Sequence, residues 1–363
     1  MTSYCPAIFY CLLFSMNIAA QTNDSAVSTR HASSTANSLF SEDSVLAVTI
    51  KGDTRALLND REGEPKNFSL SLLYKDKDNA TTTIPVEIKT RGHFRRMKQN
   101  CFYPPLLLQF SGNNKASSLF PSVAKLKLVM PCKGDEFVVR EWLAYKIYNL
   151  VTPESFKARL VRVTLENDKN GKSTDPFFGI IIEEDNQMAK RNGLVAVNRK
   201  LKPQNAAKAE YLKMAVFEYL IGNTDWSVEY LQNIKLIARD SMSVPYTVPY
   251  DFDHAGIVSA PYALPAEELQ MGSVRERRYR GYCLNDMKEF DPAISEFNRL
   301  KNDIYNLYSA CTILDARYIK STLKYLDDFY KTINDPKDLQ KQFGYPCDKN
   351  GTGNVIIRGL KEN

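Results

Sequence analysis

The chain predicts an α+β protein in which a strand-rich first half, interrupted by one helix, precedes a helix-rich second half that holds a short hairpin. Three observations lead there. Short runs of alternating or β-branched residues, separated by turn residues, fill the first half. The period changes to a helical one once near the middle and again over most of the remainder. A 363-residue chain with 44% hydrophobic and 25% charged residues is an ordinary globular one, with a core large enough for one large or two medium domains.

Structure is expected to begin with the strand "SVLAVTIKG", followed by "FSLSLLYKD" and "TTIPVEIKTRG". "FYPPLLLQFSG" and "AKLKLVMPC" extend the sheet, with Pro104 and Pro105 placing the start of the former at an edge or bulge. "DEFVVREWLAYKIYNLV" spaces Phe137, Trp142, Tyr145 and Tyr148 as a helix does, with Asp135 as the expected N-cap. "ARLVRVTLEND" and "PFFGIIIEED" are strands around a turn at Asp168 to Gly171. "NAAKAEYLKMAVFEYLIGN" is a helix ending at Gly222 and Asn223, and the strands "QNIKLIA" and "YTVPYDF" follow it. Two long helices, Ile294–Ser309 and Ala316–Asn334, close the fold.

The first twenty residues carry no charge and centre on an apolar run from Ala7 to Phe14, too short to span a bilayer comfortably. They read as a signal peptide (1–20) cleaved near Ala20, with a retained anchor as the alternative, before a Ser/Thr-rich disordered leader over 21–42. A secreted, periplasmic or cell-surface location is expected, with no stable membrane span. Cys101, Cys132, Cys283, Cys311 and Cys347 then remain, which leaves one unpaired if the others bridge. Cys101 begins one strand and Cys132 ends another, so a bridge between them is expected if those strands are antiparallel neighbours. Three histidines and no Cys-x-x-Cys argue against zinc. The net charge of +6 is mild, and no aromatic-interleaved basic stripe argues for nucleic acid. Two basic clusters, Arg91/Arg95/Arg96/Lys98 and Arg275/Arg277/Arg278/Arg280, read either as solvated surface or as contacts to phosphate or an acidic partner.

The span from Ile221 to Gly256 concentrates candidate chemistry. Asp225 follows a helix in a loop, Asn233 opens a strand, and Asp251 ends the next strand, with Asp253 expected on the same face two residues later. Phosphoryl transfer uses this set: one carboxylate for the nucleophile, then an amide oxygen and a second carboxylate for Mg²⁺ at the phosphates. The Asp–Asn spacing is eight here, against about five in protein kinases, so the loop has to bulge. Helix capping at "GNTD" and a turn at "DFDHAG" explain the same residues without chemistry. His254 reads as a bystander and Trp226 as packing.

"VEIKTRGHFRR", "LKLVMPCKGDEFVVREWLAYKIYN", "VRVTLEN…GKSTDPFFGIIIEED" and "YLIGNTDWS…QN…VPYDFDHAG", in that order, resemble the spore-coat CotH kinase family of secreted atypical kinases. The last also resembles a segment of the HipA-like kinases. The likeness covers about residues 44 to 260. It implies a two-lobed atypical protein-kinase-like fold, with a β-rich N-lobe over 43–192, a mainly helical C-lobe over 193–345 carrying the catalytic hairpin, and a tail over 346–363. It further implies ATP with Mg²⁺ (or Mn²⁺) and phosphate transfer to Ser/Thr of an extracytoplasmic protein. Asp225 becomes the catalytic acid, and Asn233, Asp251 and Asp253 the metal set. Arg91 and Gly92 fall near the phosphates, and Gly179 and Glu183 match a family segment. The family's lysine pair is absent, since no lysine lies between Lys98 and Lys115. The expected replacement is Lys127, with Lys125 second, paired to Glu141 on the following helix. Without such a lysine the chain reads as a non-catalytic module binding a surface protein or glycan, and the acids alone also fit a metal-dependent hydrolase.

Overall fold

The alternating runs become strands β1 (Leu46–Gly52), β2 (Phe68–Lys75), β3 (Thr81–Thr90), β4 (Leu106–Gln109) and β5 (Lys125–Val129). They are seen in a computed structural model that describes Met1 and residues 38–76, 78–111, 119–120, 123–351 and 357. The expected signal peptide beyond Met1, the leader up to residue 37 and most of the chain after 351 lie outside the described residues. Helix α1 (Thr54–Asn59) sits between β1 and β2, capped by Asp53, whose carboxylate accepts the Ala56 N–H at 3.0 Å. Helix α2 (Asp135–Val151) follows β5 and leads into β6 (Ala158–Asn167), β7 (Lys172–Ser173) and β8 (Phe177–Ile182). Then come α3 (Asp185–Arg191), β9 (Val195–Val197), α4 (Lys208–Ile221), β10 (Ile234–Ala238) and β11 (Tyr246–Pro249). The last helices are α5 (Asp291–Arg299), α6 (Lys301–Ser309), α7 (Ala316–Asn334) and α8 (Pro336–Phe343).

The first sheet closes on itself. Its order is β1-β2-β3-β4-β5-β8-β6, and β1 returns to β6 as a parallel pair with Val48 opposite Val163 and Ile50 opposite Leu165. Closure removes the free edges a sheet would otherwise have to protect. The barrel interior is filled by one side of each strand, including Val48, Ile50, Leu72, Ile88, Leu108, Leu126 and Ile181. Strand β8 is buried on both faces: Ile181 faces the barrel, while Ile180 and Ile182 join the cluster that contains α2. Helix α2 therefore has apolar residues around much of its circumference, because it packs on β8 and β6 and also on α4 and α6.

The two-lobed kinase-like architecture is overturned by this arrangement. A closed seven-stranded barrel stands where the β-rich N-lobe of a two-lobed kinase-like fold was expected. The second half holds its own antiparallel sheet, β11-β10-β9, among its helices and is not a helical lobe. The reason the sequence misleads is physical: alternation reports which residues face a core, but not which distant strand completes the ladder. Smaller differences follow. Asp135 lies in the first turn of α2 with Gly134 at the cap, and its carboxylate instead accepts the Phe178 N–H at 3.1 Å. The helix expected over Ile294–Ser309 breaks at Leu300 into α5 and α6. Strand β11 stops at Pro249, so Asp251 and Asp253 do not share a strand face.

Candidate functional site: a cluster of acids and bases beside the barrel

The loop after β3 turns at Arg91 and Gly92, where φ is +79°, and then winds a short 3-10 turn over Phe94–Arg96. That turn buries two arginines. Arg96 clasps the 60–63 loop through the carbonyls of Asp60, Glu62 and Gly63. Arg95 points the other way. Its Nη2 donates to the Met130 carbonyl at 2.7 Å, and its Nη1 lies 3.4 Å from Asp253 and 3.7 Å from Glu141 on α2. Burial opposes the charge on Arg95, but Tyr262, Asp253 and Glu141 overcome that and raise its pKa. Burial raises the pKa of Glu141 well above the usual carboxylate range, while Arg95 pulls against it. The Tyr262 hydroxyl donates to Asp253 at 2.9 Å. One buried network thus joins the loop after β3, helix α2 and the segment after β11.

Lys127 does not pair with Glu141. Its ammonium meets Asp185 at 2.9 Å, and Lys235 meets the other oxygen of that carboxylate at 3.0 Å. The Tyr250 ring lies under both ammoniums, 4.9 Å from Lys127 and 5.6 Å from Lys235. Burial lowers the pKa of Lys127 and Asp185 opposes it. Burial would raise that of Asp185, yet the two lysines bring it down. Arg91 is close enough to influence Lys127, Tyr250 and Asp251, and its guanidinium has no hydrogen-bond or ion-pair partner among the described residues. Lys125 opens β5 as an exposed residue, and Gly92 is exposed. Glu183 is buried in a clamp with Arg191, at 3.1 Å, and the Lys157 N–H. Those three have no part in the cluster's contacts.

Asp225 and Asn233 are brought together as expected, and the extra residues bulge. Ser227 and Gln232 exchange backbone hydrogen bonds, both at 2.9 Å, so the intervening residues form a small closed turn. Asn233 then donates its amide to the Asp225 backbone carbonyl at 2.8 Å and to its Oδ2 at 3.0 Å. Asn233 and Asp251 both adopt left-handed backbone, at φ +52° and +65°. The Asp251 N–H donates to the Tyr145 hydroxyl at 2.9 Å, while its carboxylate accepts no hydrogen bond from any described residue. Burial raises the pKa of Asp225, with His254 opposing and Asp251 adding to it. Burial also raises that of Asp251, reinforced by Asp253 and offset by Arg95, Arg91 and His254. His254 packs in an aromatic group with Phe94 and Tyr262.

Arg95, Asp185, Lys235, Tyr145 and Tyr262 were not legible as site residues. Arg95 sits in a run of basic residues that reads equally well as surface, and the others occupy ordinary positions on strands, helices and loops.

Among the described residues no three His, Cys, Asp or Glu side chains come together as a ready-made metal-binding group. The donor set nevertheless fits a Mg²⁺ held by few protein ligands together with a substrate's phosphates. The Asp251 carboxylate is free of donors, Asp225 lies close enough to repel it, and Asn233 commits only its nitrogen to Asp225. Asp253, by contrast, is engaged by Arg95 and Tyr262. The fold and site together define a class: a closed-barrel α+β protein with a cluster of acids and bases joining the loop after β3, α2 and the segment after β11. Compared with known proteins, the chain matches no family model and no curated protein.

Proposed function

We propose that the cluster binds the phosphates of ATP and transfers the terminal phosphoryl group to a Ser/Thr hydroxyl of an extracytoplasmic protein. The observation that carries this reading is the pairing of opposite chemistries in one side-chain cluster. Lys127 and Lys235 share the single carboxylate of Asp185, Arg91 has no ion-pair partner among the described residues, and two carboxylates with raised pKa values, Asp225 and Asp251, stand beside them. In the transfer, the bond between the terminal phosphorus and its bridging oxygen breaks as the acceptor oxygen bonds to phosphorus. Asp225, in a loop and half-buried, receives the hydroxyl proton. A divalent cation, when bound, would neutralise the phosphates, with Asp251 and the Asn233 Oδ1 as its protein donors. The disulfides Cys101–Cys132 and Cys283–Cys347 favour an exported protein. No helix among the described residues is long and apolar enough to cross a membrane.

The test is thermal stabilisation by ATP with and without Mg²⁺ or Mn²⁺. Asp251→Asn is expected to stay folded and lose the metal-dependent shift, and a full shift in that variant overturns the reading. Asp225→Ala is expected to keep the shift and lose at least a hundredfold in phosphoryl transfer. A second reading, a nucleotide-binding module without turnover, is favoured by one observation: Lys127 and Glu141 are each tied to a different partner, Asp185 and Arg95. A normal shift with no transfer to any protein acceptor selects it.

A further inference from the structure

Away from the cluster, a cavity of about 390 Å³ lies between α1, the end of β6 and the β6–β7 turn. None of the cluster residues lines it. Its two charged lining residues are Arg55 and Lys172, both exposed, and no acid lines it. Neither cation has a hydrogen-bond or ion-pair partner among the described residues. Two of the nearby acids are engaged elsewhere. Asp53 caps α1 and pairs with Lys169, and Glu166 pairs with Lys51 at 2.6 Å. The lining itself is therefore cationic, with Asp53 and Asp168 just outside it, and this favours an anionic ligand.

The rest of the lining narrows the class. Asn59, Asn170 and Ser173 are exposed, and their side chains offer amide N–H and hydroxyl groups to solvent. Leu58 and Leu165 add apolar surface. No aromatic ring lines the cavity, so nothing is present to stack a nucleobase. Neutral amides and hydroxyls outnumber the two cations, which is unlike a phosphate cradle and like a site for a ring of hydroxyls carrying one charge. The volume lies within the usual range for a small-molecule site. We infer that this cavity binds an acidic saccharide, with Arg55 and Lys172 on its carboxylate or sulfate and the asparagines on its hydroxyls.

The experiment is calorimetric titration of the full chain with a glucuronate-containing disaccharide, a sulfated disaccharide and a neutral disaccharide of the same size. At least one acidic sugar is expected to bind ten times more tightly than the neutral one, and comparing the two acidic sugars identifies the charged group. Arg55→Ala/Lys172→Ala, both at exposed positions, should lose tenfold or more with an unchanged melting temperature. Asn170→Ala should weaken the acidic and neutral sugars alike. Asp251→Asn, in the separate cluster, should bind sugar normally. The inference fails if no acidic disaccharide binds, if the neutral one binds as well, or if the double variant binds like the wild type. It also fails if inorganic phosphate displaces the sugar at equal concentration, since the surface would then be a general anion patch.

Discussion

Arg95 is the residue on which the cluster turns. It enters from the loop after β3 and supplies the countercharge for Glu141 on α2 and Asp253 beyond β11. Both acids are buried, so removing the guanidinium leaves Glu141 and Asp253 without a countercharge, with only the Tyr262 hydroxyl still donating to Asp253. Breaking a buried ion pair on one side costs about 3–5 kcal/mol. Arg95→Met is expected to lower the unfolding free energy by about that much, read from urea denaturation. Arg95→Lys should recover only part of the loss, because a single ammonium cannot reach Met130 and both acids in the same geometry. Wild-type stability in Arg95→Met would show that the acids are neutral and that the network does not hold the fold. The sequence contained the right elements with the wrong partner. A basic group opposite Glu141 was expected, but on β5, where the strand face is visible from alternation. An arginine brought in by an irregular turn leaves no periodic trace.

At the scale of elements, the segments with strong periodicity were legible and those made by tertiary packing were not. Helix α7 spans the expected Ala316–Asn334, and α4 ends at Gly222, whose φ of +69° is the left-handed cap its sequence suggests. Short α1, α3 and β9 lack enough residues to show a period and went unread. Helix α4 also carries an unexpected group. Glu218 is buried one turn before the cap, and neither of its carboxylate oxygens finds a hydrogen bond. Asn223 faces it without bonding geometry, and meanwhile holds the Asp225 N–H at 3.0 Å. Burial, opposed by Asn223 and reinforced by Asp225, raises the pKa of Glu218 well above its usual value of 4.5. A carboxyl whose folded pKa exceeds its unfolded one favours the fold fully below the unfolded value. That contribution is lost as pH rises through the folded value. Glu218→Gln should therefore match the wild type near pH 4.5 and become progressively more resistant to urea as the pH rises above it. A stability difference that stays constant over that range would show that Glu218 titrates normally.

At the scale of the whole molecule, barrel closure was not legible, because β1 and β6 state nothing of each other, whereas cross-linking partly was. The expected Cys101–Cys132 disulfide is present, with Cα atoms 4.2 Å apart, Cys283 bridges Cys347, and Cys311 remains a free thiol. The two bridges span 31 and 64 residues. Chain entropy assigns them similar stabilisation, about 3.7 and about 4.3 kcal/mol, so equilibrium stability alone barely separates them. Their surroundings do. Cys101 closes the segment that begins at Arg91, and its carbonyl accepts from Arg61, which also holds the carbonyls of Arg96 and Phe102. Cys132 lies two residues from Met130, the anchor of Arg95. Cutting this bridge should free the turn that buries Arg95 and Arg96, while cutting Cys283–Cys347 should leave that turn alone. Cys101→Ser/Cys132→Ser and Cys283→Ser/Cys347→Ser are thus expected to lose comparable stability in urea and to differ under native trypsin digestion. Mass spectrometry should find cleavage after Arg95 or Arg96 only in the first variant. Cleavage there at equal rates in both, or in neither, would show that the first bridge does not hold the turn and that the arginine network maintains it unaided.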